Sequence, residues 1–200
     1  MNGRKMLVQG GAGLGGTVLL AGAMWLHSLR PEVAAEELDP IRSGGRIGQE
    51  VTNHEFSVRV DRVEAARSLA PSLSLGNPPP IGTDGVYLVV RLRAMSRREP
   101  LKLASAKLET PGGLSFRAGP RTGAAEVLQP EIQPMIWAPM VLVFELPEER
   151  VAGAHLVVGT GGLLPQLSGA ADVDLGLTKG RAAELIRGAT DGYDVRTGRR

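Results

Sequence analysis

From Val86 to Ala94 the chain alternates without a break. Val86, Leu88, Val90, Leu92 and Ala94 occupy one set of positions, and Tyr87, Val89, Arg91 and Arg93 the other. Successive side chains of a strand point to opposite faces, so this period of two predicts a strand packed on one side and solvated on the other. Glu55 to Val63 repeats the pattern, with Phe56, Val58 and Val60 set against Ser57, Arg59 and Asp61. Met140 to Leu146 is almost wholly apolar and stops at Pro147, as expected of a central buried strand. Leu101–Thr110, a Pro111-Gly112-Gly113 turn, Leu114–Arg117, His155–Gly159 and Asp172–Leu177 supply further strand signals. Leu69 to Gly85, with three consecutive prolines and a Thr-Asp-Gly turn, predicts a long loop. Seven or so short strands, and no amphipathic helix before Lys179–Arg187 with its Leu185 and Ile186, predict an all-β sandwich.

A different pattern opens the chain. Met6 to Leu26 is an uncharged run of 21 residues, preceded by Arg4 and Lys5 and followed by His27 and Arg30. As a helix it would be about 31 Å long, close to the hydrocarbon thickness of a bilayer. Cations before it and a mixed flank of Arg30, Glu32, Glu36, Glu37 and Asp39 after it predict a cytoplasmic tip (residues 1–5) and an exported remainder. Ala21-Gly22-Ala23 and Val33-Ala34-Ala35 keep a cleaved signal peptide open as the alternative. Gly11-Ala12-Gly13-Leu14-Gly15-Gly16 satisfies the dinucleotide fingerprint, but that motif works only between a strand and an amphipathic helix, and here every face is apolar. Gly11 and Gly15 also stand at the spacing that lets two membrane helices approach, an expectation of homodimer contact. Residues 27–45, acidic and carrying Pro31, Pro40 and Gly44-Gly45, predict a linker, so the sandwich is expected over 46–178 and a short helix with a basic tail over 179–200.

Composition changes this picture little. The 23 basic and 21 acidic residues leave a net charge of +2, too balanced for nucleic acid as the main partner. No cysteine is present, which excludes disulfides, thiolate metal sites, cysteine nucleophiles and lipid attachment through cysteine.

The succession Tyr87-Leu88-Val89-Val90-Arg91-Leu92, then Glu99-Pro100-Leu101-Lys102-Leu103, a Pro-Gly-Gly turn, a Pro-containing approach and Leu142-Val143-Phe144-Glu145-Leu146-Pro147 resembles the immunoglobulin-like DUF4352 domains. It departs from them where Met95-Ser96 replaces the asparagine that usually closes the long strand. The resemblance covers about Arg46 to Leu177 and implies an immunoglobulin-like antiparallel sandwich, exported behind a signal or anchor segment and serving as an accessory or interaction domain. It carries no catalytic residues with it.

Candidate chemistry is sparse. His27, His54 and His155 are not at metal-ligand spacing from another His, Asp or Glu on one element. Asp172-Val173-Asp174 resembles a metal-binding pair but lies in an alternating strand, and Gly159-Thr160-Gly161-Gly162 lacks the lysine and helix of a phosphate loop. No metal or cofactor is expected. Arg97-Arg98 and the Arg196 to Arg200 tail are short basic clusters. The segment Gln133 to Pro139 stands out, with Met135, Ile136 and Trp137 between two prolines. These three either cap the open end of the core or form an apolar patch for a partner. The expected function is a membrane-anchored, non-catalytic module that binds another cell-envelope or membrane protein through Met135, Ile136 and Trp137. The alternatives are an envelope hydrolase or transferase using carboxylates such as Asp172 and Asp174, and a solute-binding module with Leu69–Gly85 as its lid.

Overall fold

The computed structural model describes residues 40–70, 79–119, 130–161 and 168–195. The chain divides into two units, Met1–Leu38 and Asp39–Arg200, and every described residue belongs to the second. The apolar run Met6–Leu26, the Gly11 and Gly15 pair and both cleavage motifs lie outside the described residues. Among the described residues no helix is long and apolar enough to cross a membrane.

Nine strands form two sheets. They are β1 (Ile41–Arg46), β2 (Glu50–Thr52), β3 (Phe56–Leu69), β4 (Ile81–Ser96), β5 (Ser105–Thr110), β6 (Leu114–Arg117), β7 (Ala138–Leu146), β8 (His155–Gly159) and β9 (Gly169–Asp174). One sheet has the order β1-β9-β8-β5-β6 and the other β2-β3-β4-β7. Pairing is antiparallel except between β1 and β9. Among the described residues one α-helix, α1 (Lys179–Arg187), follows β9, its first turn capped by Thr178 Oγ1 accepting from Arg181 N.

The core lies between the sheets, as the alternation requires. Val58, Val60, Leu88, Val90, Leu92, Leu142 and Phe144 meet Leu108, Leu156, Val158, Ala171 and Val173 there. The fold is thus the β-sandwich the strand pattern predicts, and the differences fall at the ends of elements. The predicted linker ends early, because residues 41–46 pair in parallel with 169–174. The predicted loop 69–85 is shorter, because Leu69 pairs with Ile81 and Ser68 with Gly82. The return strand begins at Ser105, and Leu101 pairs with Ile132 instead. The expected central strand, β7, is the outermost of its sheet. It is apolar on both faces because Leu142 and Phe144 enter the main core while Val143 joins a smaller cluster outside.

That outer cluster also corrects the expectation that the second face of β4 is solvated. Tyr87 and Val89 are fully buried with Ala66, Leu69 and Val143 under Tyr193. β2 pairs with β3 only through Arg59, and past that point the edge of β3 is taken by the C-terminal segment. Thr190 N donates to Ala65 O (3.2 Å), Arg67 N to Thr190 O (2.9 Å) and Tyr193 N to Ser68 O (3.0 Å). Residues predicted to be a tail beyond the sandwich therefore complete one of its sheets.

Candidate interaction surface

β4 ends at Ser96 in a backbone clamp. Ser96 N donates to Gln133 O (3.2 Å), Ser96 O accepts from Met135 N (3.1 Å), and Leu101 and Ile132 exchange bonds in both directions (3.1 and 2.8 Å). Residues 132–136 are thereby fixed against the end of β4 and the turn after it, with Ile132 fully buried beneath. The Ser96 side-chain oxygen is buried there without a hydrogen-bond partner. Met135 has a φ of 60°, the one non-glycine residue at positive φ among the described residues. That conformation costs a residue with a β-carbon about 1–2 kcal/mol. Beyond it Met135 is 74% exposed and Ile136 62% exposed. Trp137 is half-buried. Met135 and Ile136 are thus displayed at the surface, and Trp137 is intermediate in exposure.

Sequence reasoning missed a third exposed residue at this end. Ile41, 63% exposed, opens β1; inside a presumed linker it carried no periodicity that would single it out. Ile41 pairs with Gly169, Gly159 with Ala170, and Ser105 with Gly159, which places the start of β1 at the Ser105 end of its sheet. Thr160 Oγ1 donates to Glu55 Oε2 (3.1 Å), and Arg97 N donates to Glu55 O (2.9 Å), joining that end to the Phe56 and Ser96 end of the other sheet. Ile41, Met135 and Ile136 thus share one end of the sandwich. Leu114, the remaining exposed large apolar residue among those described, pairs with Thr110 at the opposite end.

Among the described residues, the charges of the turns flanking Ser96 balance. Arg97, Arg98 and Lys102 are matched in number by Glu55, Glu99 and Glu131. Arg97 Nη1 donates to Asn53 O (3.1 Å), and His54 lies 3.5 Å from Glu55.

The carboxylates weighed for catalysis are occupied with holding the five-stranded sheet. Asp172 lies 3.1 Å from His155 Nδ1 and 3.5 Å from Arg42 Nη1. Arg42 reaches on to Glu109 (2.6 Å), which also meets Lys107 Nζ (2.8 Å). Burial alone would raise the Glu109 pKa, but the two cations outweigh it and hold the carboxyl below the usual glutamate value. Asp174 Oδ1 accepts from Gly176 N (2.8 Å) in the turn after β9. Two open clefts, of about 660 and 270 Å³, lie between α1 and the β3 region. Neither is lined by Asp172 or Asp174, nor by the described residues of the expected lid. Residues 71–78 of that lid lie outside the described residues.

No family model and no curated protein matches the chain. Among solved structures it is similar to an uncharacterised β-sandwich protein from Clostridium difficile, with 10% identity and a TM-score of 0.41 over 67% of this chain and 95% of that one. It is similar to the yjhA protein from Bacillus subtilis, with 12% identity and a TM-score of 0.47 over 65% and 99%. It is also similar to MPT63, a secreted protein from Mycobacterium tuberculosis, with 13% identity and a TM-score of 0.45 over 68% and 97%.

Proposed function

We propose that this chain is a membrane-anchored, extracytoplasmic, non-catalytic module of the immunoglobulin-like DUF4352 type that docks on another component of the cell envelope. Met135, Ile136 and Trp137 make the contact. The observation that carries the reading is the loop itself. Two large apolar side chains stand exposed on a segment clamped by backbone hydrogen bonds and turned through a strained residue. Strain of this kind persists where the surroundings over-determine it, and it concentrates at ligand clamps. The anchor comes from the sequence, where 21 uncharged residues precede the sandwich. The non-catalytic reading draws support from the ion pairs and turn contacts that engage Asp172 and Asp174.

A photoreactive amino acid placed at Ile136 of the full chain in living cells tests the docking. The expected outcome is a covalent adduct with an envelope component at Ile136 and none with the same probe at Leu114, on the far end. No adduct at Ile136 refutes the docking function.

A further inference from the structure

The component that this end of the sandwich meets is, we propose, the bilayer surface itself, with Met135, Ile136 and Ile41 seated among the headgroups. This rests on the anchored reading above and names what the anchored module touches. Three observations converge on it. First, three of the four exposed large apolar residues among those described lie at a single end, and they are spread across it. Ile41 is on β1, at one edge of the five-stranded sheet, and the Met135–Ile136 loop leads into β7, at one edge of the other. β1 lies beside β2, and β6 beside β7, so these two edges occupy opposite sides of the sandwich. A planar surface engages both edges together.

Second, the polypeptide enters the sandwich at this same end. Ile41 opens the first strand, and residues 27–40 connect it to the apolar run. At about 3.5 Å per residue a stretch of that length cannot exceed about 50 Å. A tether this short keeps the effective concentration of membrane around the loop high, so a few aliphatic side chains suffice where a free protein would need a second anchor.

Third, the exposed residues are of the type lipid accepts. What projects is Met and Ile, uncharged aliphatic side chains that the boundary between headgroups and acyl chains accepts. With cations and carboxylates equal in number among the described residues of the turns flanking Ser96, the seat is apolar in character, and its occupancy is expected to resist salt, unlike that of a polybasic patch.

The chain contains no cysteine, so single labels are clean. Ile41→Cys, Met135→Cys, Ile136→Cys and Leu114→Cys are made separately in the full chain and coupled to an environment-sensitive fluorophore. Each is inserted in nanodiscs of phosphatidylethanolamine and phosphatidylglycerol carrying a shallow acyl-chain spin quencher. The expected result is quenching at 41, 135 and 136 roughly twofold or more above that at 114, unchanged in high salt. The pair Met135→Asp and Ile136→Asp, built into the Ile41→Cys chain, is expected to lower quenching at 41 without changing the far-ultraviolet spectrum of the fold. Equal, low quenching at all four positions in chains that co-purify with the discs overturns the seat while leaving the anchor intact. Failure to co-purify overturns both. Shielding at 135 and 136 that appears only in native membrane vesicles, and not in pure lipid, assigns the loop to a protein and overturns the lipid seat.

Discussion

Gly169 and Asn53 show how closely single residues fix the end that carries the loop. Asn53 Oδ1 accepts from Glu55 N and Phe56 N, both at 2.8 Å, and so folds the tight turn between β2 and β3. Its amide nitrogen is buried and unpartnered beside Gly169, where a β-carbon would stand 2.8 Å from it. Gly169→Ala is therefore expected to cost about 1–3 kcal/mol by overpacking the corner between the sheets, measured by denaturant unfolding of the solubilised chain. Phe144 sits at the other extreme, fully buried in the main core. Phe144→Ala is expected to cost about 3–5 kcal/mol through lost burial and an unfilled cavity, and a cost under about 1 kcal/mol would contradict its place there. Glu109 makes the ion-pair lattice of the five-stranded sheet sensitive to acid. Because Arg42 and Lys107 hold its folded pKa below the ordinary value, its contribution is complete above about pH 4.3 and is lost as pH falls through the depressed value. In Glu109→Gln the acid limb of a stability profile is expected to flatten.

Among the elements, the C-terminal segment does the least expected work. Tyr193 Oη donates to Glu64 Oε2 (2.6 Å), Arg91 Nη2 donates to Tyr193 Oη (2.9 Å), and Arg91 Nε donates to Glu64 (3.1 Å). This triad locks residues 190–193 over Tyr87 and Val89. Burial, followed by the bond to Glu64, raises the Tyr193 pKa, so the neutral phenol is the form the fold prefers. Its contribution is complete below the ordinary tyrosine value of about 10 and disappears as pH rises through the raised folded value. Tyr193→Phe is expected to cost about 1–3 kcal/mol at neutral pH and to remove that alkaline loss, read as melting temperature against pH. Periodicity made β3, β4 and the core face of β7 legible in the sequence, because a half-buried strand writes its burial into every second residue. It failed for β1, where Gly44 and Gly45 carry no side chain and Ser43 only a small polar one, so no apolar alternation registers. It failed also for residues 190–195, too short a stretch for a period to register. The loop Met135–Trp137 was legible as an apolar segment between prolines, but its division into exposed and half-buried residues depends on the turn at Met135 and on the clamp to Ser96. Neither has a signature in composition.

At the scale of the whole molecule the described sandwich has two distinct ends. The strand that opens the sandwich and the exposed loop share one end, and the β3–β4 hairpin and Tyr193 stand at the other. On the anchored reading proposed above, the positive flank of Arg4 and Lys5 predicts an N-terminus in the cytoplasm and a sandwich outside. Since no native cysteine competes for label, the orientation is open to a direct measurement. Gln49, exposed in the turn between β1 and β2, is a better reporter than the half-buried Ser43 inside β1. Gln49→Cys is expected to react with a membrane-impermeant maleimide in intact cells, and Asn2→Cys only after the membrane is permeabilised. If Asn2→Cys labels first, the orientation is reversed and the lipid seat faces the cytoplasmic leaflet instead. If Gln49→Cys labels on a shortened chain free of the membrane, the run is a cleaved signal. The sandwich would then lose the tether that makes three aliphatic residues sufficient for contact with lipid.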